Sequence, residues 1–160
     1  PMIFQGQEFL QGGWFRDDVG LDWSLDAEYH GIVRLYRDLI ALRRNLAGTT
    51  KGLMGSGLRI LHAHDDNNMI AFQRWWDHGA RDDVVVVVNL GSQPRGNYTI
   101  GMPSPGVWRL RFNSDATIYS DDFGDFDSFD LEAVAGDYDG MPAHAALAIA
   151  PYSLLVYSRD

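Results

Sequence analysis

The chain has 160 residues, a formal net charge of −9, no cysteine, and 13 Lys and Arg against 22 Asp and Glu. That length suits one domain, or one domain plus part of another, and the charge argues against a nucleic-acid partner, whose binding rests on Lys and Arg neutralising phosphate. Without cysteine there is neither a disulfide framework nor a thiol catalyst; no apolar run is long enough to cross a bilayer and no secretory leader is visible, so no membrane partner and a cytoplasmic setting are expected.

The first residues, Pro1-Met2-Ile3-Phe4-Gln5-Gly6-Gln7-Glu8-Phe9, set a short apolar run before a glycine and an acid. This is the pattern of a buried parallel strand handing over to a functional loop. Such a strand needs neighbours on both sides and nothing precedes it, so the chain reads as the C-terminal piece of something larger. Residues up to 28 carry aromatic, Gly and Asp residues with little periodicity, as expected of a long loop over a site. From 29 to 47 the pattern is helical: Ile32, Leu35, Tyr36, Leu39, Ile40, Leu42 and Leu46 recur at spacings of three and four and form one stripe. Asp26 suits the N-cap, Glu28 the positive end, and Arg43, Arg44 and Gly48 the other end.

Beyond Gly52 the period changes to two and turns multiply, which predicts an all-β domain. Residues 58–64 and 69–76 flank Asp65-Asp66-Asn67-Asn68 and read as a hairpin. Residues 84–90 are apolar almost throughout, as in a central strand covered on both faces, with Asp82 and Asp83 as charged gatekeepers before it. Trp108, Leu110 and Phe112 alternate with Arg109 and Arg111, predicting one inward and one wet face. Residues 145–150 and 153–157, separated by Pro151, supply closing strands, and the sum is an antiparallel sandwich of two sheets. His62 and His64 share a strand face, but no third ligand is placed for zinc. Asp121, Asp122, Asp125, Asp127 and Asp130 lack the glycine and terminal glutamate of a calcium loop and read as a solvated loop. Neither a metal nor another cofactor is expected.

The opening run, with Gly13-Trp14-Phe15 and Leu21-Asp22-Trp23, resembles the eighth barrel strand and following loop of the α-amylase superfamily, and within it the 1,4-α-glucan branching enzymes most. The likeness continues through His30-Gly31-Ile32-Val33-Arg34-Leu35-Tyr36-Arg37-Asp38-Leu39, then at Val88-Asn89-Leu90, Pro94-Arg95, Asn97-Tyr98, Gly106-Val107-Trp108 and Asn113-Ser114-Asp115-Ala116-Thr117-Ile118-Tyr119. It is weakest over 120–141. Gln7 departs from the pattern, since many superfamily members carry a second acid before the position of Glu8. The resemblance implies a mainly β fold: residues 1–48 as the last strand, loop and helix of a truncated (β/α)8 barrel, and 49–160 as an antiparallel β-sandwich.

It also implies that the nucleophile, acid/base and stabilising carboxylates come from earlier barrel strands, so this chain is expected to hold no catalytic residue. Its implied partners are the missing barrel and an α-glucan. Glu8 lies where barrel enzymes place their sites, with Trp14 and Trp23 as neighbouring sugar platforms, although bracing by Glu8 and plain packing by the tryptophans is the favoured reading. On the sandwich, one of Trp75 and Trp76 faces out if the strand is regular, which offers a glucan contact or a surface packed on the barrel. A glucan-binding module and the C-terminal domain of a related enzyme, such as an isoamylase or maltooligosyl trehalose hydrolase, are the alternative readings.

Overall fold

A computed structural model describes residues 2–14, 16–77 and 82–159; Pro1 and Phe15 of the resemblance lie outside the described residues. A 3-10 turn over Gln7–Phe9 leads to α1 (Leu25–Glu28), α2 (His30–Arg43) and a second 3-10 turn over Lys51–Met54. Eight strands follow: β1 (Gly57–His64), β2 (Met69–Trp75), β3 (Val84–Asn89), β4 (Arg95–Met102), β5 (Gly106–Asn113), β6 (Leu131–Tyr138), β7 (Met141–Ile149) and β8 (Ser153–Ser158). All pairings are antiparallel, in the order β1-β2-β3-β8-β5-β6-β7-β4. The antiparallel all-β architecture is therefore as expected, with one addition: the two layers are a single sheet folded over its own core. Leu61, Ala71, Val85, Val87, Ile100, Trp108, Leu131, Leu147, Leu155 and Tyr157, drawn from all eight strands, share that interior.

The valine run shows why β3 is central. Val85 and Val87 enter the inner core, while Val84, Val86 and Val88 point to the outer face, so both faces of the strand are covered. The outer cover is α2, whose Leu35, Leu39 and Leu42 pack with Val84, Val86, Phe112, Tyr119 and Val156. Only this part of the expected stripe is used; Ile40 and Leu46 stay exposed. At Gly31 the helix meets the chain so closely that a Cβ would collide with the Tyr119 carbonyl oxygen. Tyr119 Oη donates to Asp38 Oδ2 at 2.9 Å, and burial, with the Asp38 carboxylate adding to it, pushes the Tyr119 hydroxyl up.

Three expectations are corrected. Met2, Ile3 and Phe4 form no strand and remain exposed, because a strand needs backbone partners and no described segment offers them. Asp26 is inside α1 and caps nothing; instead Asp22 Oδ1 accepts from Ser24 N at 3.0 Å and Ser24 Oγ at 2.6 Å just before α1. At the other end α2 stops at Asn45 rather than Gly48: Asn45 takes φ 53, its amide donates to Leu42 O and that of Leu46 to Ala41 O, both at 3.0 Å, a Schellman ending for which Asn is the usual substitute for glycine.

The alternation in β5 is also broken. Trp108 and Leu110 belong to the inner core but Phe112 to the outer cluster, because pairing with β8 slips by one residue between Leu110 and Phe112. A bulge inserts an unpaired residue, and a one-residue slip turns the following side chains to the other face.

Gly31→Ala is expected to cost about 2 kcal/mol by urea denaturation, as overpacking against a fixed carbonyl outweighs the roughly 1 kcal/mol gained in helix propensity. Gly12→Ala, where a Cβ meets open space, is the control and should change stability by less than about 0.5 kcal/mol.

Candidate functional site

Gly6 (φ 81) turns the chain so that Gln11 N reaches Gly6 O at 2.9 Å, and Gln7 Oε1 accepts from Phe4 N at 2.8 Å. The 3-10 turn buries Phe9, which carries the Trp23 ring at 5.2 Å between centroids, and the turn rests on α2. Glu8 is half-buried on this turn, and its Oε2 is buried with no hydrogen-bond partner among the described residues. Trp14 is 96% exposed and Trp23 67%. A cleft of about 330 Å³ opens beside them, walled by Phe4, Gln7, Gln11, Trp14 and Leu21 among others. It includes Trp14 but is lined by none of Glu8, Trp23, Trp75 and Trp76. The five residues read from sequence as substrate contacts therefore do not converge on one cleft.

The two sandwich tryptophans part at the end of β2. Trp75 pairs with Gly57 of β1 and is half-buried, its indole lying where a Cβ on Gly57 would be. Trp76 follows the strand and is 50% exposed, with the Lys51 ammonium 5.9 Å from its ring and 4.0 Å from Asp77 Oδ1. Asp82, read from the sequence as a charged gatekeeper, is buried and grips this corner: its Oδ2 accepts from Trp76 N at 3.0 Å and Asp77 N at 2.6 Å. Burial by itself pushes the Asp82 carboxyl up, but the amide hydrogen bonds from Asp77 and Trp76 and the nearby Lys51 charge outweigh it and hold the group below the usual carboxylate range. Asp83 Oδ1 accepts from Gln73 Nε2 at 2.7 Å.

The acidic loop is tied down rather than simply solvated. Asp115, which sequence reading did not single out, accepts from Gly124 N at 3.1 Å and Phe126 N at 2.9 Å. Asp130 accepts from Arg109 Nη1 at 2.8 Å and Leu110 N at 2.7 Å, and the Arg109 hydrogen bond leads the causes that lower its pKa. An aspartate after Asn113-Ser114 at a strand end was the available signal, since short acids there bond nearby amides. His62 and His64 do share a face, with rings 6.1 Å apart, but His62 is engaged by Asp139 and Tyr98. Among the described residues no three His, Asp or Glu side chains are grouped to hold a metal ion, and no helix is long and apolar enough to cross a membrane.

The folded antiparallel sheet with its outer helix defines an all-β domain. Residues 60–160 match the family described as alpha amylase, C-terminal all-beta domain, and the chain belongs to that family. It is 33% identical over 159 residues to the 1,4-alpha-glucan branching enzyme of Mycolicibacterium paratuberculosis, covering 96% of this chain and 21% of that protein. The corresponding enzyme of Rhodococcus jostii is 32% identical over 157 residues, covering 92% and 21%. The chain thus spans about a fifth of the length of the curated relatives it matches. Among solved structures, a debranching enzyme from Nostoc punctiforme shares the fold over 98% of this chain and 27% of its own (TM-score 0.59, 15% identity). An alpha-amylase from H. orenii does so over 90% and 24% (TM-score 0.50, 22% identity).

An acid held below its ordinary value contributes stability above its unfolded pKa and loses it as pH falls through the folded one. Asp82 should therefore stabilise the fold above about pH 4 and progressively less below. Urea denaturation from pH 7 to 2.5 is expected to show a smaller acid loss in Asp82→Asn than in the parent chain.

Proposed function

We propose that this chain is the C-terminal part of a 1,4-α-glucan branching enzyme: residues 1–48 belong to the catalytic barrel, and 49–160 form a non-catalytic sandwich that braces it. The observation that carries this reading is the match over 96% of the chain to enzymes of that name, each several times longer. In such an enzyme an α-1,4 linkage is cleaved through a covalent glycosyl-enzyme and the chain passed to a 6-hydroxyl, on carboxylates that lie outside these residues. What this part supplies is mechanical: α2 is gripped by the sandwich through Leu35, Leu39 and Leu42 on one side and carries the Gln7–Phe9 turn on another. The exposed Met2, Ile3 and Phe4, and the buried unpaired Glu8 Oε2, suit a surface completed by further protein. The cytoplasm, where glycogen is built, is the compartment this reading assigns.

Trp76 favours a second reading, in which the sandwich holds glucan. A half-exposed indole with an ammonium and a carboxylate beside it offers stacking and hydrogen bonding to a sugar. Native affinity electrophoresis in gels with and without glycogen separates the two. Bracing predicts unchanged mobility; retardation lost in Trp76→Ala and kept in Trp75→Ala establishes the glucan module instead.

Limited chymotryptic digestion checks the division of the chain. Cleavage at residues 4–23 is expected at least about tenfold faster than within 57–158, because local opening governs cutting. Equal resistance of the two regions would overturn the assignment of residues 1–48 to a barrel.

A further inference from the structure

The strand order leaves two ends, β1 and β4, and the fold brings them against each other without a backbone ladder between them. What joins them is a chain of side chains. His62 on β1 places Nδ1 2.9 Å from Asp139 Oδ2 and Nε2 2.8 Å from the Tyr98 hydroxyl on β4. Asn67, in the β1–β2 turn, donates from Nδ2 to the same hydroxyl at 3.2 Å. Asp139 Oδ2 also accepts from Gly101 N of β4 at 2.9 Å. The His62 side chain is only 9% exposed.

The donor and acceptor roles close without a remainder. A carboxylate only accepts, so Nδ1 of His62 carries a proton; in the neutral ring Nε2 accepts from Tyr98 Oη–H, and the Tyr98 oxygen accepts from Asn67. The backbone is built to allow this. Asp139 and Gly140 take φ 53 and 68, the left-handed pair of a two-residue hairpin turn between β6 and β7. Gly101 lets that turn lie over β4, since a Cβ there would stand 2.5 Å from Tyr138 O. Around the cluster, His64 stacks on His62 and Arg95 Nη2 donates to Asn67 O at 3.3 Å.

We propose that the His62–Tyr98–Asp139–Asn67 network is a clasp that closes the open side of the folded sheet, and that breaking it lets the β1–β2 hairpin move off β4 and bare two unpaired strand edges. The far end of the hairpin is pinned separately, by Trp75 on Gly57 and by Arg74 donating to Gly55 O, so opening starts at the turn. The inference is independent of the enzymatic reading.

Hydrogen exchange on the full 160-residue chain tests it. In His62→Leu, amides of 57–64 and 98–102 are expected to exchange at least about tenfold faster, and in the milder Tyr98→Phe about threefold, while those of 84–88 and 154–157 keep their protection, as for a local opening. Unchanged exchange at 57–64 in His62→Leu overturns the clasp. So does acceleration of equal size in β3 and β8, which would make the network a contributor to global stability only.

Discussion

The contact on which the rest of the structure depends is the one between α2 and the outer face of β3, β8 and β5. A sheet whose middle strands are apolar on both sides cannot leave either side to water, and the folded sheet covers only its inner face. Leu35, Leu39 and Leu42 supply the second cover. Their spacing of four and three puts them on one side of the helix, leaving Ile40 outside. Gly31 allows the helix to approach the Tyr119 carbonyl, Asp38 receives the Tyr119 hydroxyl, and Arg43 donates to Leu53 O beyond the helix end. Because the Gln7–Phe9 turn rests on α2, the position of Glu8 is set, through the helix, by the sandwich.

A second theme is how this acidic chain uses its carboxylates. Asp82, Asp115, Asp130 and Asp139 each accept backbone amides at corners where ladders end. Such amides have no strand partner, and leaving them unpaired away from water is costly. One carboxylate oxygen can accept two amides at once, which is how Asp82 Oδ2 holds Trp76 and Asp77 and thereby leaves Trp76 outward. The corner chemistry thus governs which aromatic ring faces outward.

Much of the fold was legible in the residues themselves. The hairpin around Asp65-Asp66-Asn67-Asn68 and the doubly covered valine strand formed as read, and the amphipathic helix formed with different ends and a narrower stripe, because each is encoded by a local period or by turn-tolerant residues. The misreadings lie where a local rule met a tertiary alternative. Alternation in β5 failed at a bulge, the helix ended on Asn45 because a Schellman turn closed there, and the N-terminal apolar run had no described neighbour to pair with. The candidate sugar contacts were chosen by residue type and by place in expected strands and loops, and neither carries information on convergence: Trp14 lines a cleft that the other four do not.

The sequence by itself determined the all-β character, the central strand, an amphipathic helix before it and the family, since periodicity and short motifs survive without coordinates. Only the tertiary structure decided that the two layers are one folded sheet, that Trp75 packs while Trp76 faces water, and that His62, Tyr98, Asn67 and Asp139 meet. Those four residues span 78 positions of sequence, 62 to 139, and lie on four different segments. Pairing at such separation is set by how the sheet closes on its core, a global property that no local pattern contains.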